Sequence, residues 1–194
     1  MKTCRAALFV TILCQQLAFA QEVFIVGKGG ISSYGAVQGF AVGGGGGDQS
    51  WKLGPIIGLG ARIRTSDAFA IEGLFEYSTH RYAVKYEWEI PPINDPRNRI
   101  LEFTTMGRLS FRLVDIVHFV FLGGVSISYH HKDDIVPPNS QYITPGRRAV
   151  DVGGILGIGS EVRISKSIEI SLEGSWRMRF YVTPVVQLGI AYGL

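Results

Sequence analysis

Cysteine is almost missing from this chain: there are two, Cys4 and Cys14, both within the first twenty residues. From Gln21 onward no disulfide can form and no thiol can act as a nucleophile, so stability there must come from backbone pairing and packing. Long apolar runs are missing as well. After residue 20 no stretch of about eighteen apolar residues occurs, which excludes a transmembrane helix but leaves membrane-crossing strands open. Charge of one sign is equally scarce. The 194 residues carry 19 Lys and Arg against 16 Asp and Glu, and without Lys2 and Arg5 the balance is 17 to 16. There is no basic footprint for nucleic acid.

Glycine, by contrast, is abundant, with 25 residues spread along apolar segments where it disfavours helix and suits tight β geometry. The first twenty residues read as a cleavable signal peptide: Lys2 and Arg5, an apolar run from Ala6 to Leu13, then Ala18-Phe19-Ala20 as an A-x-A cleavage site. Leu13 stands where lipoprotein processing needs a small residue before Cys14, which argues against lipidation. The remainder, residues 21–194, is of a size for one domain.

A strand sends successive side chains to opposite faces, so a membrane barrel shows segments of about ten residues with one apolar parity. Ile57, Leu59, Ala61 and Ile63 alternate with Gly58, Gly60 and Arg62. Phe69, Ile71, Gly73, Phe75 and Tyr77 oppose Glu72 and Glu76, and Leu101 to Phe111 repeat the pattern against Glu102, Arg108 and Arg112. Val117 to Tyr129 carry less signal because their opposite face is small or apolar. The alternation is clearest where Val150 to Val162 face Asp151, Glu161 and Arg163, and where Ile168 to Phe180 face Glu169, Glu173, Arg177 and Arg179. Val186, Leu188, Ile190, Tyr192 and Leu194 close the series. With a first strand near Val23–Gly30, of ambiguous parity, this predicts eight antiparallel strands: an all-β, up-and-down transmembrane barrel with Ile57, Phe75, Phe121 and Leu172 toward lipid. Short connections near 65–67, 114–116 and 165–167 alternate with long ones near 31–51, 81–98 and 131–148, as periplasmic turns and extracellular loops do. A last outer connection is short, near Tyr181–Pro184, with Pro184 suited to a strand start. The same alternation would also build a soluble lipocalin-like barrel with its apolar face inside. The loop asymmetry and the aromatic strand ends, such as Phe69 and Tyr77, favour the membrane version.

In the membrane version the interior receives Arg62, Arg108, Arg112, Arg163, Arg177 and Arg179 facing Glu72, Glu76, Glu102, Asp151, Glu161, Glu169 and Glu173. Eight strands enclose only enough room for side chains, so these charges are expected to form a paired plug. A gated ion path is the functional alternative. His130, His131, Asp133 and Asp134 cluster at the mouth of a long loop with ligand chemistry but no closed metal spacing. Beyond His80 and Arg81 the apolar parity switches to Tyr82, Val84, Tyr86 and Trp88, which predicts a bulge followed by a protruding β-ribbon that could bind a partner by strand addition. An interfacial aromatic girdle on Tyr77 and Tyr82 is the plainer reading.

Over residues 21–194 the chain resembles the outer-membrane β-barrel domain family of opacity-like and outer-membrane-protein-A-like eight-stranded barrels. The likeness rests on the leader ending in AFA, the first strand VFIVGKGGI, the spacing of the strands and the closing VVQLGIAYGL. The family's terminal assembly signal has an aromatic last residue, whereas here the alternation ends on Leu194. The resemblance implies an integral outer-membrane protein without cofactor or enzymatic activity, serving envelope integrity or surface binding through its loops. Its expected partners are outer-membrane lipids and lipopolysaccharide, the barrel-assembly machinery and an external or envelope protein. A lipid A-modifying enzyme and a narrow pore are the alternatives. The deacylase pattern H-x-S-N is absent, the neighbours being His80-Arg81-Tyr82 and His118-Phe119-Val120. A palmitoyltransferase-like site has no spacing signature to test.

Overall fold

The structure is a computed structural model, and it describes residues 22–34, 52–81, 97–134, 145–179 and 182–194. Eight strands run through them: β1 (Glu22–Tyr34), β2 (Lys52–Arg64), β3 (Phe69–Arg81), β4 (Arg97–Arg112), β5 (Val117–Lys132), β6 (Arg148–Arg163), β7 (Ile168–Met178) and β8 (Val182–Gly193). Each is antiparallel to its chain neighbour, and β8 returns to pair with β1, so the sheet closes and leaves no edge. The strands outrun the expected alternating cores. β1 and β2 continue to Tyr34 and Lys52, and β8 starts at Val182, with Pro184 inside it opposite Trp176.

The register sets the barrel's dimensions. From Glu22 the cross-strand partners run through Arg64, Ala70, Arg108, Leu122, Gly157, Ser175 and Val185, and return to β1 at Ser32, ten residues beyond the start. A stagger of that size over eight strands corresponds to a tilt of about 35–45° and an interior just wide enough for side chains.

Alternation then sorts the residues. Ile57, Phe75, Phe121 and Leu172 are 62, 65, 47 and 54 % exposed on the outer wall, while Arg62, Glu72, Arg108 and Glu173 are at most 4 % exposed inside. The inverted, lipocalin-like solution is therefore not adopted. In β1, whose parity the sequence leaves ambiguous, Phe24, Val26 and Lys28 point inward and Val23, Ile25 and Ile31 outward.

The three short turns share one geometry: the amides of Thr65, Leu113 and Ile164 donate to the carbonyls of Phe69, Val117 and Ile168 at 3.1, 2.9 and 3.0 Å. Serine hydroxyls reinforce two of them, Ser66 Oγ accepting from the Phe69 amide and Ser165 Oγ from the Ile168 amide, both at 3.1 Å. The expected bulge at His80–Arg81 is not formed. Pairing runs without interruption through His80↔Asn98 to Arg81↔Arg97, and His80 points inward. Residues 82–88, and with them the expected ribbon, lie outside the described residues.

Tight closure also requires bare backbone. A Cβ on inward Gly60 would lie 1.9 Å from the Gly73 carbonyl oxygen, and one on Gly30 2.0 Å from that of Val186, whereas one on Gly174 meets nothing within 4 Å. Gly60→Ala is therefore expected to cost about 1–3 kcal/mol through overpacking. Gly174→Ala is expected to be close to neutral. Urea midpoints, read from the heat-modifiable gel band of the folded barrel, check the pair; equal midpoints would contradict the packing.

Candidate functional site

The interior is the part of the molecule richest in chemistry, and strand parity builds it. Toward the short turns four cations point inward, Lys28 on β1, Arg62 and Arg64 on β2 and Arg108 on β4. Four carboxylates meet them, Glu72 on β3, Glu161 on β6, and Glu169 and Glu173 on β7. Glu72 sits at the centre, 2.6 Å from Lys28 Nζ, 2.8 Å from Arg62 Nη2 and 3.3 Å from Arg108 Nη1. Glu173 accepts from Lys28 at 2.5 Å and from Arg108 at 2.6 Å. Glu161 Oε2 bridges Arg62 and Arg108 at 2.9 and 3.1 Å. Glu169 takes Arg62 at 2.7 Å and also Arg64, which reaches out to Glu22 at 2.6 Å.

A second group lies toward the long loops. Arg177 bonds Glu76 at 2.9 Å and also Glu102, Arg179 bonds Glu102 as well, and Gln187 donates to Glu76 at 2.7 Å. Among the described residues no ion pair joins the two groups. Leu74 points inward between Glu72 and Glu76 on β3, in one apolar cluster with Met106 and Ile155. Each group is balanced, four against four and two against two. Balance is required because an unpaired ion in so dry a place costs several kcal/mol.

Twelve of the thirteen expected interior charges therefore face in or sit at a mouth, and one does not. Arg112 ends β4 where the wall stops; its side chain is 63 % exposed and turns to Asp115 at 2.7 Å, so it belongs to the turn and not the lumen. Arg163 is at the same rim, 3.2 Å from Glu161 and 3.4 Å from Glu169. Asp151 is at the opposite mouth, 3.2 Å from His130. Lys28 and Arg64 were not among the expected charges. Lys28 is the one charge of VFIVGKGG, in a strand whose two faces are both apolar, and Arg64 lies one inward position past the last alternating residue at Ile63.

The histidines divide by parity. His130 points into the lumen and His131 outward toward Asp133 at 3.7 Å, while Asp134 accepts from the Gly146 amide at 2.6 Å. The His130–Asp134 cluster is thus split between two faces, and among the described residues no group of three or more His, Cys, Asp or Glu could hold a metal. Ser128, His130 and Asp151 have the residue types of a hydrolytic triad, but the same nitrogen, His130 Nε2, contacts both Ser128 Oγ at 3.0 Å and Asp151 Oδ2 at 3.2 Å. A proton relay needs the serine and the carboxylate on different ring nitrogens. At the short-turn mouth a cleft of about 510 Å³ lined by Asp67, Arg112, Asp115, His118 and Arg163 leads inward. Behind it Arg62, Arg108 and Glu161 are 1–2 % exposed and close the way.

Glu72→Gln removes the carboxylate shared by three cations and is expected to cost about 3–5 kcal/mol. Adding Lys28→Met to that variant should recover part of the loss. A double-mutant cycle of urea unfolding in detergent checks it, and strictly additive losses would mean that Glu72 and Lys28 do not interact.

No family model matches this chain, and no curated protein matches it in sequence. Solved structures do match it in shape. The attachment invasion locus protein Ail of Yersinia pestis superposes with a TM-score of 0.52 at 11% identity, covering 90% of this chain and 99% of that one. The same protein in complex with the heparin analogue sucrose octasulfate gives 0.53 at 11% identity over 89% of this chain and 97% of that one. Neisserial surface protein A gives 0.53 at 9% identity over 88% and 96%. At such identities the likeness concerns architecture, and the architecture is that of the eight-stranded outer-membrane β-barrels.

Proposed function

We propose that this protein is exported by residues 1–20 and inserted as an integral barrel in a bacterial outer membrane, where it acts without catalysis on envelope integrity and surface binding. The observation that carries this reading is the interior: balanced ion-pair groups fill the lumen and leave the outer wall apolar. Such a lumen serves as a structural plug, which places biological contact on the loops and rims. Delivery to the membrane falls to the barrel-assembly machinery, reading the terminal alternation Val186, Leu188, Ile190 and Tyr192. The stretch Tyr82, Val84, Tyr86 and Trp88 is the proposed contact for an external or envelope protein, through its alternating aromatic and apolar side chains.

Planar-bilayer recordings on the refolded mature chain test the plug. No stable single-channel steps are expected; a steady open conductance would replace this reading with that of a pore. In cells, the protein is expected in the detergent-extracted membrane fraction as a heat-modifiable band, and release without detergent would overturn the localisation.

A further inference from the structure

The cleft at the short-turn mouth lies outside the plug, and closure of the barrel frames it. The Ser110 amide on β4 donates to the Ala68 carbonyl at 2.8 Å, and Arg163 Nη2 on β6 donates to the Asp67 carbonyl at 3.3 Å, which ties the β2–β3 turn to both sides of the opening. Inside that frame the register sets Arg112 on β4 opposite His118 on β5, and His118 opposite Glu161 on β6.

The lining has donors without partners and few acceptors to meet them. His118 is 6 % exposed and lines the cleft, yet its Nδ1 is buried without a hydrogen-bond partner. The tautomer that carries its proton on Nε2 spares a buried N–H and leaves a ring donor for the cleft. Arg112 bonds Asp115 through Nη2, and Arg163 uses Nε on Glu161 and Nη2 on Asp67, so among the described residues Nη1 of neither arginine makes a hydrogen bond. Glu161, behind the cleft, is already within 4.0 Å of Arg62, Arg64, Arg108 and Arg163, and its charge is fully shared. The other two carboxylates of the lining, Asp67 and Asp115, are exposed at the rim, and Asp115 is taken by Arg112. Two guanidinium groups and an imidazole on one concave surface fit an oxyanion, because charge-assisted N–H donors match its acceptor oxygens. A bare inorganic ion would occupy little of a cleft of about 510 Å³. That volume is in the range of about 300–1,000 Å³ that organic ligands fill.

We propose that the short-turn mouth binds a small organic oxyanion, a carboxylate or a phosphate ester, through Arg112, Arg163 and the ring N–H of His118. The site needs only the closed barrel; that its ligand arrives from the periplasmic side rests on the membrane reading above.

The barrel, isotope-labelled in its histidines and purified in detergent, is titrated with N-acetylalanine and with glycerol phosphate. The uncharged counterparts are N-acetylalanine amide and glycerol. The ring signals of His118 should shift saturably with a Kd on the order of 1 mM or tighter, the scale of two or three charge-assisted bonds, while those of His80, His130 and His131 stay in place. The tighter of the two anions assigns the ligand to carboxylates or to phosphates. Arg112→Gln removes an exposed guanidinium without touching the lumen, and should weaken binding about tenfold. Arg99→Gln at the opposite end should leave it unchanged, and heat-modifiable mobility checks that both variants are folded. The absence of a saturable shift, equal binding of the uncharged counterparts, or unchanged affinity in Arg112→Gln overturns the site. A folded membrane barrel that binds neither anion fails the site alone, whereas a chain released without detergent that still binds one keeps the site and overturns the membrane reading.

Discussion

Closure of eight strands with a ten-residue stagger is the constraint on which the rest of this structure depends. It leaves an interior no wider than the side chains that fill it, so every inward residue is taken out of water at once. An inward charge must then find an opposite charge or not be there. Glu72, shared by Lys28, Arg62 and Arg108, is where that requirement is met most densely. The bare backbone at Gly30 and Gly60 follows from the same constraint, since adjacent walls approach too closely there for a Cβ.

Closure also inverts the usual relation of surface to core. The apolar side chains that would form a soluble protein's interior are spread over the outer wall, with Leu59 64 % and Leu188 56 % exposed, and lipid takes the place of a core. What distinguishes one end of the wall from the other is then charge. Arg81, Arg97, Arg99 and Arg148 are exposed at the long-loop end of the wall, whereas the short-turn rim exposes Arg112 and Lys166 against Glu22, Asp67 and Asp115.

Much of this was legible in the chain itself. Where one parity carries charge, as in β3 with Glu72 and Glu76 or β7 with Glu169, Glu173 and Arg177, the inner face could be assigned residue by residue. It failed where neighbouring faces are alike or where a strand ends. In β1, Phe24 and Val26 are as apolar as Val23 and Ile25, so Lys28 had no pattern to place it. At Arg112 the alternation continues past the point where the wall gives way to solvent. At His80 the parity change in the sequence beyond it suggested a bulge that the uninterrupted pairing to Arg81 and Arg97 does not contain.

By itself, then, the sequence determined the number of strands, the inner and outer faces of most of them and the alternation of short and long connections, because each of these is a local periodicity of the backbone. Only the tertiary structure decided which charges meet. Lys28 and Glu173 stand 145 positions apart on strands that do not pair, and their 2.5 Å contact exists because the staggered sheet closes and brings their heights together across the lumen. Arg99, His131 and Arg148 share one level of the outer wall for the same reason: strand ends distant in the chain become neighbours only when the register aligns them.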